Sequence, residues 1–168
     1  MAATVVINEY NGAAAATKSS NIAKGHWLSI ESASVDDAIK DANPIPKPPS
    51  GSNYSYEKWH KAEVTALGGS IRLETFRRYL DSAPGTGWTV LISDFTTPPT
   101  PTGTTPVNTV SSVAIRACPT ADPGAARITG LLDATNEETA FAVSQAGVDN
   151  TATAGFSKTM TWAWAEVA

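Results

Sequence analysis

Three proline-rich stretches, at 43–52, 96–106 and 118–124, divide this chain into short segments. Proline removes a backbone donor and fixes φ, so none of the three can be a helix or a central strand. They read as extended surface loops, too short to separate domains. Between them lie runs rich in β-branched and aromatic residues, at 5–10, 54–66, 71–80, 88–93, 107–117, 140–145 and 156–167, with shorter ones at 27–30 and 128–132. Roughly seven to nine short strands separated by turn signals is the pattern of a sandwich or jelly roll, not of alternating βαβ units. The expectation is one all-β domain spanning 1–168, a jelly-roll-like β-sandwich with long Pro/Thr-rich loops and one short helix. That helix is placed at 34–40, with Ser34 as its N-cap and Asp36 and Asp37 near the positive end of its dipole.

Alternation refines two of the strands. The run 54–66 carries Trp59 and Val64 as anchors, Gly68-Gly69 turns it, and 71–80 is expected to return as the second arm of a hairpin, with a helix over 73–80 as the competitor. In that second arm Ile71, Leu73 and Thr75 share a face, and Phe76 breaks the alternation, which signals a bulge or a change of sheet. In the closing run, Phe156, Lys158, Met160, Trp162, Trp164 and Glu166 share a face. Asn11-Gly12 and Gly85-Thr86-Gly87 read as turns.

Composition narrows the function classes. Hydrophobic residues make up 42% of the 168 residues, enough for a real core, whereas charged residues are only 17%. That charged share is well under the usual quarter. A net charge of −4 leaves no basic face for phosphates. Arg77-Arg78, flanked by Glu74 and Asp81, reads as a solvated strand end or an ion-pair partner. With one cysteine, Cys118, no intrachain disulfide is possible, and it reads as a partly buried small residue. The first residues lack the basic and apolar regions of a signal peptide, and no run approaches the roughly 18 apolar residues of a membrane span. Synthesis and use without a secretory route is the expectation.

No catalytic, metal or cofactor site is expected. His26 and His60 lack ligand spacing to each other or to Cys118, and His60, beside Trp59, reads as half-exposed. Asp36-Asp37 and Glu137-Glu138 lack the spaced oxygens and glycine bend of a calcium loop and read as solvated. No phosphate-cradling glycine motif or nucleophile elbow occurs. Aromatic residues carry the one ambiguity. Trp59, Trp88 and Trp162 read as core anchors. Tyr54, Tyr56 and Trp164 are the candidates for an interface or for a platform that stacks on sugar rings, which gives the alternative function: a glycan-binding sandwich used for adhesion to a host surface.

Three segments, VINEYNG at 6–12, SYEKWHKAEVTALGG at 55–69 and TMTWAWAEVA at 159–168, occur in that order with TPVNTVSSV at 105–113 between them. Together they resemble small structural proteins of tailed-bacteriophage virions, the decoration, neck and tail proteins. The resemblance implies a virion protein made in the host cytoplasm, with no cofactor and no enzymatic activity. It would contact other capsid, neck or tail proteins and copies of itself, but neither nucleic acid nor membrane. It also implies that residues 1–12 act as an extended arm adding a strand to a neighbouring subunit.

Overall fold

The β-branched opening run forms strand β1 (Thr4–Asn11) in the computed structural model, which describes residues 1–11, 15–25, 29, 36–95, 116–124, 131–153 and 157–168. Eight more strands follow among the described residues: β2 (Thr17–Ser19), β3 (Ser52–Tyr54), β4 (Lys58–Ala66), β5 (Arg72–Leu80), β6 (Trp88–Phe95), β7 (Arg116–Ala117), β8 (Phe141–Asp149) and β9 (Met160–Val167). Every pairing among them is antiparallel. The large sheet runs β2-β1-β4-β8-β6-β7, with β3 also on β8; β5 and β9 form a separate two-stranded ribbon. The chain is thus an all-β domain of two unequal layers, sandwich-like.

β3 and β4 lie along the same partner, β8, at Gly147–Asp149 and at Ala142–Ser144. Between them Ser55 keeps contact by donating its N–H to the Ala146 carbonyl at 2.9 Å and accepting the Ala146 N–H on its hydroxyl at 3.0 Å. The expected single strand over 54–66 is therefore one line interrupted at 55–57. The expected hairpin of 54–66 with 71–80 does not form. One edge of β4 is taken by β1, and the other by β8 and then by residues 136–138, where Val64 donates to the Asn136 carbonyl. With both edges filled, Gly68-Gly69 carries the chain across to the second layer, and β5 pairs with β9. Gly68 sits at φ +66, and a Cβ there would collide with the Met1 carbonyl oxygen. Of residues 1–12, expected as an arm, Thr4–Asn11 form β1 of this sheet, with 4–10 paired along β4.

The break of alternation at Phe76 is a bulge: the β5–β9 register shifts between Glu74 and Arg77, and Thr75 has φ 54. The extra residue changes which parity faces the core. Leu73 points inward before it; Phe76, Arg78 and Leu80 point inward after it. Val5 and Ile7 of β1, Ala62 and Val64 of β4, Leu73 and Phe76 of β5, and Trp162 and Trp164 of β9 form one cluster between the layers. Leu80, Val90, Ile92, Cys118 and Met160 form a second. Ile45 of the first proline-rich stretch packs on Ala146 and Val148 with Trp88, so that loop is part of the cover and not purely surface.

Helix α1 (Asp37–Asp41) is shorter than expected and begins later. Its N-cap is Asp36, whose carboxylate accepts the N–H groups of Ala38 and Ile39 at 2.8 and 3.4 Å. Ser34, the expected cap, lies outside the described residues, as do Gly12, residues 27, 28 and 30 of the run at 27–30, the 96–106 loop, most of 107–117, the start of 128–132, and Phe156.

Candidate functional site

The inward faces of β1 and β4 each end on a polar group. Along β1 the inward series is Val5, Ile7, Glu9; along β4 it is Val64, Ala62, His60, and the register sets Glu9 directly opposite His60. α1 then delivers Lys40 to the same place. Its ammonium donates to Glu9 Oε1 at 2.5 Å, and Asn11 Nδ2 donates to that same oxygen at 2.9 Å. The Lys40 and Glu9 side chains are 1% and 0% exposed. The other carboxylate oxygen, Oε2, lies 3.6 Å from His60 Nε2 and makes no hydrogen bond. Both ring nitrogens of His60 are buried without a hydrogen-bond partner, and the ring packs edge-on to Trp162 at 6.4 Å.

Charge follows this geometry. Burial pushes the Glu9 carboxyl up, but the His60 ring, the Lys40 ammonium and the Asn11 amide outweigh it and hold it at about 2. Burial pushes His60 below its ordinary 6.5; the Glu9 carboxylate pulls the other way and loses. Near neutral pH Glu9 is therefore a carboxylate beside a neutral imidazole. The expected half-exposed His60 is corrected: the strand's inward parity puts it in the core.

Above His60 opens a cleft of about 690 Å3. Ile7 and His60 form one wall, Lys40, Asp41 and Pro44 another, and Lys158, Met160 and Trp162 a third. Residues 22–25 line it as well.

A second buried cation ties the layers together. Arg78, turned inward by the β5 bulge, donates to the carbonyl oxygens of Ser93 and Val143 at 2.6 and 2.7 Å and to the Ser144 hydroxyl at 2.9 Å. Asp94 Oδ1 lies 3.7 Å away. Its neighbour Arg77 stays outside and pairs with Asp122 at 2.8 Å. Arg78 is therefore an ion-pair partner but not a solvated strand end.

On the outer face of the large sheet, Glu137 accepts from Asn8 at 2.6 Å and from Tyr10 at 2.5 Å, and pairs with Lys18 at 2.7 Å. Glu138 is buried and accepts the Ala62 N–H at 2.9 Å. The expectation of a solvated pair at 137–138 is thus corrected, because both carboxylates answer donors along β1 and β4. Cys118 is buried, and burial pushes its thiol up, away from the reactive thiolate. Among the described residues no three His, Cys, Asp or Glu side chains are grouped to hold a metal ion, and His26 lies outside them.

The candidate aromatics are dispersed. Tyr56 is 4% exposed and belongs to the interior. Tyr54 is half-buried, its ring where a Cβ on Gly147 would reach. Trp164 tilts against Phe76 within the core cluster, at 6.3 Å between ring centres. Trp59 is buried, whereas Trp88 and Trp162 are partly so. The structure instead brings together Glu9, Lys40 and His60. The alternation of Val5, Ile7, Glu9 and of Val64, Ala62, His60 carried a signal for the two strand residues, and nothing local marked Lys40. Comparison of the chain with protein-family models, with curated proteins and with solved structures returns no match.

Proposed function

We propose that the chain is a structural protein of a tailed-bacteriophage particle, decorating the capsid or attached to the neck or tail, and that it acts through contacts with other virion proteins and with copies of itself. One observation carries this reading. The three segments that bear the resemblance become β1, β4 and β9, and these strands meet on one core cluster through Val5, Ile7, Ala62, Val64, Trp162 and Trp164. The segments that bear the resemblance thus fall at the packing centre of the domain, which is where a likeness of fold would reside. The buried pairs Glu9–Lys40 and Arg78–Asp94 join segments of the chain remote in sequence, as suits a stiff module that presents its edges to neighbours. Strands β2 and β7 lie at the two ends of the strand order among the described residues, where a neighbour could add a strand to the large sheet.

The test is a census of purified particles by quantitative mass spectrometry, followed by cross-linking of intact virions. The expected result is this chain at a fixed ratio to the major capsid or tail subunit, with cross-links to a virion protein. Its absence from particles that are otherwise complete overturns the proposal.

A further inference from the structure

We propose that Lys40 and Asn11 react with each other, joining Lys40 Nζ to Asn11 Cγ in an isopeptide bond that fastens α1 to β1. Lys40 Nζ donates to Glu9 Oε1 at 2.5 Å, and Asn11 Nδ2 donates to the same oxygen at 2.9 Å. One carboxylate oxygen thus stands against both the amine that attacks and the amide nitrogen that leaves. Glu9 and Asn11 lie two residues apart on β1, and the backbone of Asn11 is paired with Thr17 of β2. Groups held together in this way have already lost the freedom that a reaction in solution must give up. The side chains of Lys40 and Glu9 are 1% and 0% exposed and Asn11 is 3% exposed, so the three meet away from water.

The step balances without a co-reactant. A proton passes from Nζ to Glu9 Oε1 along their hydrogen bond and frees the nitrogen lone pair. That pair attacks Cγ, and the electrons of the carbonyl bond move onto Oδ1. Glu9 hands its proton to Nδ2, the carbonyl re-forms and the Cγ–Nδ2 bond breaks. Ammonia leaves with the second proton from Nζ as ammonium, Glu9 is again a carboxylate, and nothing is oxidised or reduced. Because Glu9 is held at about 2, the proton-transferred form is a minor one. The ion pair is therefore the reactant state, and the bond forms slowly after folding.

Lys18 supplies a contrast within the same chain. It too shares carboxylate oxygens with an asparagine, Asn8, at Glu63 and at Glu137. Its side chain is 35% exposed, and the hydrogen bond to Glu137 pushes it up. Water and two carboxylates hold Lys18 as an ammonium with no lone pair to attack. Burial, and not the residue types alone, singles out Lys40. The proposal does not depend on the particle reading, since it is tested on the isolated chain.

The experiment is mass spectrometry of the full-length folded chain, as purified and again after weeks at neutral pH. The expected result is an intact mass lower by one ammonia and, after proteolysis, a branched peptide joining Asn11 to Lys40. The branched peptide is decisive, because Asn11 precedes Gly12 and an asparagine in that setting also loses ammonia by closing on the next backbone nitrogen. Lys40→Arg keeps a cation on Glu9 but has no attacking amine, so it should retain the full mass of its sequence. Lys18→Arg should link as the parent does. Glu9→Gln should slow the linkage at least about a hundredfold. The inference is overturned if the parent keeps its full mass throughout, if the ammonia is still lost in Lys40→Arg, or if the branched peptide joins Asn8 to Lys18. Linkage of Glu9→Gln at the parent's rate overturns the part given to that carboxylate. The parent protein gives the primary reading, so the inference can fail without any variant folding.

Discussion

The carboxylate of Glu9 holds the ammonium of Lys40 at 2.5 Å across 31 residues of sequence, with both side chains withdrawn from solvent. This pair anchors a five-residue helix that has too few turns to stand alone. Removing one partner leaves an uncompensated buried charge, a loss of about 3–5 kcal/mol. Lys40→Met should therefore lower unfolding free energy by that amount in urea titrations. Glu9→Leu combined with Lys40→Met should recover much of it, because a neutral, filled site carries no stranded charge. Equal stability of the single variant and the parent would show that the pair contributes nothing.

Acid should weaken the fold in two stages with one sign. Burial holds His60 below 6.5, so the unfolded chain takes up that proton first, and stability falls as pH drops below about 6.5. Glu9 is held at about 2 against an ordinary 4.5, so its contribution is complete above about 4.5 and is lost as the pH falls toward 2. That second stage is on the order of 3 kcal/mol. Unfolding midpoints measured across this range should decline toward acid, and His60→Phe should flatten the upper stage and also shrink the lower one, because the ring helps to hold the Glu9 carboxyl down. A variant with the parent's slope between about pH 7 and 5 assigns that stage to another group.

Arg78 fixes the β5–β9 ribbon onto β6 and β8 through two carbonyl oxygens. A lysine carries the charge but not the planar fork, so Arg78→Lys should not rescue the site. Both Arg78→Met and Arg78→Lys should destabilise by about 2–4 kcal/mol, and hydrogen exchange should quicken in β9 before β4. Full stability in Arg78→Lys would mean that charge alone suffices.

Gly68 lets the chain change layers. A Cβ would collide with the Met1 carbonyl oxygen, and φ +66 is strained for any side chain. Gly68→Ala should cost about 1–3 kcal/mol, read as a lowered melting temperature. Gly51→Ala has φ +68 but meets no atom within 4 Å. It should cost less, and the difference isolates the contact from the backbone strain.

Much of the architecture was legible because strands announce themselves by local rules. The β-branched opening run, the Trp88 strand and the alternating closing strand fall where expected, and the break at Phe76 marks a bulge. The hairpin across Gly68-Gly69 fails for a different reason. A glycine pair says that the chain turns, but which strand it meets next depends on edges already filled by β1 and β8. At Arg78 the bulge reverses the inward parity, so a residue that simple alternation places outside is buried in fact.

By itself, the sequence determined the class of this protein: short β-branched runs cut by proline can pair only as strands, and pairing preferences of that kind act over a few residues. The three-dimensional structure decided which strands share a sheet, and with that the meeting of Glu9, Lys40 and His60 beside an open cleft. Those three lie on separate elements, and the low-polarity interior that couples their charges exists only once the layers have closed.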